Sequence, residues 1–161
     1  MAGKPIRLFG DPVLRGVAEP VTSFDAELRK LVKTLLATMR AVPGRAGVSA
    51  PQIGVPARVV VYSYDGRTGH LVNPTLELSE RTVEAEEACL SAPDFYWPLR
   101  RSFAVVARGQ DMAGRPVTVR AFGMAARVLQ HEADHLDGVF FLDRLPPEER
   151  ARALAEASLP A

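Results

Sequence analysis

Apolar residues recur three and four positions apart through Leu28, Leu31, Val32, Leu35, Leu36 and Met39, the spacing of a single helical stripe. The stripe predicts a helix from Ser23, capped by Thr22 or Ser23, with Asp25 and Glu27 in its first turn and Pro43-Gly44 as its stop. The period then changes. Residues 58–64, with Val59, Val60 and Val61, read as the best strand, and 70–72, 75–78, 103–108 and 116–122 as further strands. Residues 109–114 carry Gly at both ends and read as a hairpin joining the last two. Residues 6–20 read as an irregular arm with a turn near Asp11-Pro12, and 47–54, punctuated by Gly and Pro, as loop or irregular strand. A second helix is expected over 123–137, closed by Gly138, and a more charged surface helix over 147–157. Strands before and between helices without regular β-α-β alternation indicate an α+β fold.

The chain has 161 residues, one domain's worth, and no repeat or linker divides it, so a single domain over 1–161 is expected. Its 47% hydrophobic and 24% charged content, with 12 Gly and 13 Pro, excludes a disordered, collagen-like or coiled-coil chain. Lys and Arg number 20 against 19 Asp and Glu, a net charge of +1, which argues against nucleic-acid binding through bulk charge. No apolar run nears the roughly 18 residues of a membrane span, and the first seven residues lack a signal-type apolar stretch. Cys89 is the only cysteine, so no internal disulfide can form, and a reducing, cytoplasmic location is expected.

The chemistry concentrates at His131-Glu132-Ala133-Asp134-His135, inside the second expected helix. Histidines at i and i+4 share a helical face and can reach one metal ion, and the glutamate between them can take a proton from water at that metal. A catalytic site needs a third protein ligand and an open position. Cys89, His70 and several carboxylates are candidates, and spacing alone does not choose among them.

Three blocks resemble the peptide deformylases in order and approximate spacing. Residues 47–54, Gly-Val-Ser-Ala-Pro-Gln-Ile-Gly, are similar to that family's G-φ-A-A-x-Q segment. Glu87-Ala88-Cys89-Leu90-Ser91 resembles E-G-C-L-S, and residues 130–138 fit Q-H-E-x-D-H-L-x-G at every fixed position. The arm around Leu14-Arg15-Gly16, the Val72-Asn73-Pro74 element and the tail over 140–145 also agree, so the resemblance runs from Ile6 to about Arg150.

The resemblance implies antiparallel sheets packed around a central helix that carries the two histidines. It implies Cys89, His131 and His135 as ligands of one divalent metal, with Fe2+ the expected native ion and Zn2+, Ni2+ or Co2+ able to take its place. A thiolate on ferrous iron is open to oxidation. The implied reaction removes the formyl group from the N-terminal methionine of nascent peptides. Glu132 would act as general base and acid, and the Gln52 amide and Leu90 N–H would stabilise the oxyanion. Val48, Glu87, Met124, Val128 and the His131 ring would wall the methionine pocket. Peptide would run extended along Ala46 and Gly47, with Ala88 beside its path. Asp134 and Arg101 would brace the ligands. Ribosome docking is left open as a partner role. The last helix sets Arg150 and Arg152 against Glu148, Glu149 and Glu156, no basic stripe, which argues against docking through it.

The chain departs from the family's usual residues at Arg45, Ser49, Ala88 and Arg100. Ala88 is the most consequential, because a glycine there with positive φ would make alanine strained. Two other readings compete. A zinc endopeptidase explains His-Glu-x-x-His but not the cysteine or the glutamine loop. A non-catalytic metal-binding relative has no use for Glu132 or Gln52.

Overall fold

The computed structural model describes residues 2–159. In chain order its elements are α1 (Ala26–Arg40), β1 (Gly47–Ser49), β2 (Val59–Tyr64), β3 (Arg67–Leu78), β4 (Thr82–Cys89), β5 (Ala92–Ser102), β6 (Ala104–Gln110), β7 (Pro116–Phe122), α2 (Gly123–Leu136) and α3 (Pro147–Ala157). Short 3-10 turns lie at Pro12–Leu14, Ala50–Ile53 and Phe141–Arg144. Five strands form one antiparallel sheet in the order β1-β2-β3-β6-β7, and β4 pairs with β5 in a separate two-stranded ribbon. This is the α+β architecture expected from the element order.

β2 shows why its sequence is a continuous apolar run. Successive side chains point to opposite faces of a strand. Val59 and Val61 therefore join Leu28, Val32, Leu35 and Met39 of α1, while Val60 and Tyr62 join Ala126 and Leu129 of α2. The predicted α1 stripe supplies that contact, with Leu31 and Leu36 packed at its margin. The helix starts later than expected. Asp25, not Thr22 or Ser23, is its cap, its carboxylate accepting from the Leu28 N–H at 3.1 Å.

α2 is central. From Ala125 to Leu136 every residue but Ala133 is buried, the charged ones included. Its C-terminus is closed by Gly138 at φ 70°, where a Cβ would lie 2.4 Å from the Arg15 carbonyl, so only glycine fits. Arg58 donates to the Leu136 carbonyl at 2.9 Å and pairs with Asp137 at 2.8 Å, satisfying the helix end.

Three expectations change. Residues 70–72 and 75–78 belong to one strand, β3. It is interrupted at Asn73, whose φ of 52° and the shifted pairing beyond Val72 disguise its continuity. Residues 47–54 divide into β1 and a 3-10 turn. The β4–β5 ribbon was not anticipated. β4 holds Glu84, Glu86 and Glu87, and β5 holds Pro93 and Pro98, residue types that sequence preference removes from strands. Proline is tolerated in a ribbon because each strand has one unpaired edge.

α3 has the expected limits and an exposed charged face, but it is also docked. Ala153 and Leu154 are buried in a cluster with Phe140, Phe141, Leu142 and Cys89, and Trp97 donates to Glu149 at 3.1 Å. Among the described residues no helix is long and apolar enough to cross a membrane.

Candidate active site

β4 ends at Cys89, and α2 passes beside it. The Cys89 thiol and one ring nitrogen each of His131 and His135 lie within 4.8 Å of one another, all three residues buried, with Sγ 3.3 Å from His135 Nε2. The histidine rings are 5.0 Å apart at 75°, edge to face. A soft thiolate with two imidazoles this close together is a donor set that fits a divalent transition metal. His70 does not join it. It sits on β3, where its Nε2 accepts from the Met112 N–H at 3.0 Å.

The electrostatics favour a thiolate. Burial alone would raise the Cys89 thiol, but the facing His135 and His131 outweigh it and hold the group well below its ordinary value. Burial would lower His131, yet Cys89 and Glu87 outweigh that and favour its charged form.

Glu87 is the residue whose position sequence reasoning understated. Expected as pocket wall, it lines the cavity and also accepts from His131 Nδ1 at 2.7 Å. This leaves Nε2 of that ring to face the cluster. The same carboxylate takes two bonds from Arg101, at 2.6 and 3.0 Å, and one from Arg127 at 3.0 Å. Burial would raise Glu87, but His131 and Arg101 hold it far below the usual carboxylate range. Arg101 continues to Asp134 at 2.6 Å, and Asp134 to Arg144 at 2.6 and 2.8 Å. The His131 ring is thereby tied into an ionic chain that is buried from Glu87 to Asp134 and reaches the surface at Arg144. Arg101 and Asp134 were expected to brace the ligands, but Glu87 as the link between them and His131 was not.

Glu132 lies against β1. A Cβ on Gly47 would come 2.8 Å from Glu132 Cγ and Oε2, so glycine at 47 is what lets the carboxylate approach the strand. Among the described residues, Glu132 Oε1 is buried without a hydrogen-bond partner. Such an orphan has a cost unless something else occupies the space it faces, and water or substrate at the cluster would supply the missing partner. Burial pushes its carboxyl above the usual range.

Gln52 sits on the 3-10 turn after β1, 1% exposed. Its Oε1 accepts from the Ser49 N–H at 3.0 Å, and its Nε2 lies 3.2 Å from Ser91 Oγ and 3.9 Å from Cys89 Sγ. The amide donor thus faces the cluster.

Gln52, Glu87, Cys89, His131 and Glu132 border a cavity of about 540 Å³, which Ala46, Gly47, Ala88, Leu90, Met124 and Val128 also line. Met124 stands at its rim, 63% exposed. Val48 departs from expectation. Strand alternation turns it away from Gly47 and Ser49, into the aliphatic cluster under α1. The non-glycine residues with positive φ are Asp65, Asn73, Asp94 and Ser158, so Ala88 carries no such strain. Asp94 belongs to the stretch that loops out where pairing jumps from Ala88–Tyr96 to Cys89–Ala92, at the cavity mouth. Arg45 borders the cavity and donates to the Thr38 carbonyl at 2.6 Å. Arg100 is exposed, 3.3 Å from Thr82 Oγ1.

Comparison with known proteins agrees with this geometry. The family model described as polypeptide deformylase matches residues 3–151. A peptide deformylase of Acidothermus cellulolyticus is 56% identical over 160 residues, covering 98% of this chain and 88% of the relative. One of Parafrankia is 50% identical over 156 residues, covering 96% and 85%. Among solved structures, the peptide deformylase of Thermus thermophilus superposes with a TM-score of 0.90 at 38% identity, covering 97% of this chain and 94% of that one. That of Legionella pneumophila gives 0.89 at 36%, covering 98% and 94%.

Proposed function

This chain belongs to the peptide deformylase family, and on that premise we propose a role for each residue of the site. The enzyme removes the formyl group from the N-terminal methionine of newly made peptides. The observation that supports the roles best is the meeting of Cys89, His131 and His135 beside a cavity that Cys89, His131 and Glu132 line, with one oxygen of the Glu132 carboxylate unpaired among the described residues.

Cys89, His131 and His135 hold the metal, and Fe2+ is the native ion proposed, with Zn2+, Ni2+ or Co2+ able to replace it. When bound, the metal supplies Lewis acidity, making water a nucleophile near neutral pH and polarising the formyl oxygen. Glu132 takes the water proton through its free oxygen and later delivers it to the leaving amine. Its burial suits both steps, because a carboxylate pushed above its usual range is a stronger base toward water, and the proton it takes is then available to the amine. The Gln52 Nε2 and the Leu90 N–H donate to the oxygen that gains charge as the formyl carbon becomes tetrahedral. Glu87 fixes the His131 ring, and Arg101 with Asp134 fixes Glu87.

The methionine side chain enters between Val128, Met124 and the His131 ring. The chain beyond it lies along Ala46 and Gly47, where β1 is the edge strand of the sheet and can take an added strand. The protein works as a single catalytic domain in the cytoplasm, on nascent chains near the ribosome. The test is an anaerobic assay of iron-loaded protein on formyl-Met peptides, acetyl-Met peptides and internal peptide bonds. Hydrolysis of the formyl substrate alone is expected, and cleavage of internal bonds would return the site to an endopeptidase reading.

A further inference from the structure

Gln52 is asked to present the nitrogen end of its amide to the developing oxyanion, and an amide rotated by half a turn would present oxygen instead. We infer that Ser49 is the positioning residue that keeps the Gln52 carboxamide oriented and still. The inference rests on the deformylase reading, since it concerns the group proposed to stabilise charge there.

The geometry is closed on both ends of the amide. Gln52 Oε1 accepts from the Ser49 backbone N–H at 3.0 Å and from the Ser49 hydroxyl at 3.3 Å. Its Nε2 meets Ser91 Oγ at 3.2 Å, with Cys89 Sγ at 3.9 Å. Ser49 is 0% and Gln52 1% exposed, so water does not compete for these bonds. Rotating the amide would set Nε2 against the Ser49 N–H, donor against donor, and bring the carbonyl oxygen toward the Cys89 sulfur. The backbone N–H therefore selects the orientation. The hydroxyl contributes a second donor to the same oxygen, which narrows the tilt of the amide plane about its last side-chain bond.

Strand geometry makes the contact possible. Gly47 and Ser49 point to the same side of β1 and Val48 to the other, so the strand presents Gly47 to Glu132 and Ser49 to Gln52 in register. Of the two donors at Ser49, only the hydroxyl belongs to the side chain. A methyl group there keeps the backbone donor and removes only the hydroxyl.

The experiment compares Ser49→Ala with the parent in steady-state kinetics and in the side-chain amide region of a 15N spectrum of zinc-loaded protein. Four side-chain carboxamides, Asn73, Gln52, Gln110 and Gln130, make that region sparse enough to assign. Ser49→Ala should lower kcat roughly three- to tenfold, the share of one neutral hydrogen bond, with KM changed less than twofold. Its Gln52 NH2 signals should move or broaden while those of Gln130 and Asn73 stay. In a Gln52→Ala background the same substitution should have no further effect on kcat. Unchanged kcat with unmoved Gln52 signals overturns the inference. A loss that persists without Gln52, or that falls on KM and thermal stability together, overturns it too by assigning Ser49 a structural part. A parent without deformylase activity defeats the functional reading instead.

Discussion

Under α1, Val32, Leu35, Val48, Val59 and Val61 bury side chains with no polar atom to satisfy, whereas where α2 meets the β4–β5 ribbon burial is nearly as deep but falls on Glu87, Arg101, Arg127, His131, Glu132 and Asp134. The first region is held by apolar contact, which has no direction and tolerates small shifts. In the second, every group but Glu132 depends on a named partner at 2.6 to 3.0 Å, and a shift leaves a charge without one. The aliphatic layer supplies rigidity, and the polar layer uses that rigidity to hold ligands and proton carriers in fixed positions.

The comparison breaks most visibly at Glu132. Glu132→Gln keeps size and burial but removes the proton carrier, and kcat should fall by roughly two to four orders of magnitude. Metal content measured on the purified protein should stay at the parent level, and loss of metal would show that Glu132 supports the cluster instead. Cys89→Ala should do the reverse, lowering metal stoichiometry, and an unchanged ratio would remove Cys89 from the ligand set.

The ionic chain comes next. Glu87→Gln leaves Arg101 and Arg127 buried beside a neutral amide, and a destabilisation of about 3–5 kcal/mol is expected in denaturant unfolding. It should also weaken metal retention against a chelator, because Glu87 no longer holds the His131 ring. In the aliphatic layer, Leu35→Ala should be destabilising by about 2–5 kcal/mol through cavity formation. Its kcat at a temperature where it is folded should match the parent. A kcat loss there would mean that the two regions are not separable.

The smallest effect lies at Asp143, which accepts from Arg15 and Arg150 and from the Phe140 N–H at 2.8 Å. Burial would raise this carboxyl, but Arg15, Phe140 and Arg150 together lower it below its ordinary 3.8. A carboxylate lowered in the folded state stabilises fully above its unfolded pKa, and that share is lost as pH falls through the lowered value. Asp143→Asn should therefore be less stable than the parent at pH 7, with the gap closing below about pH 4. A gap that is constant with pH would assign the loss to packing.

Local pattern alone was enough for α1, α2, α3, β2 and the β6–β7 hairpin, because a stripe or an alternation is written in neighbouring residues. It was also enough to single out His131, Glu132 and His135, since i and i+4 on a helix are neighbours by construction. The third ligand was different. Nothing in the spacing between Cys89 and His131 says that they meet, and the resemblance to known deformylases supplied that pairing before the structure did.

The tertiary structure alone decided the β4–β5 ribbon, the turn of Val48 into the cluster under α1 and the partners of Glu87. Glutamates and prolines in β4 and β5 carry low strand preference, and pairing across the ribbon overrode it. Glu87 reads in sequence as one more acidic residue before a cysteine. It became the holder of His131 only when β5 brought Arg101, and α2 brought Arg127, to the same buried point. Burial and charge pairing are properties of packed neighbours far apart in the chain, so the sequence determined which residues could do the chemistry and the packing decided which of them meet.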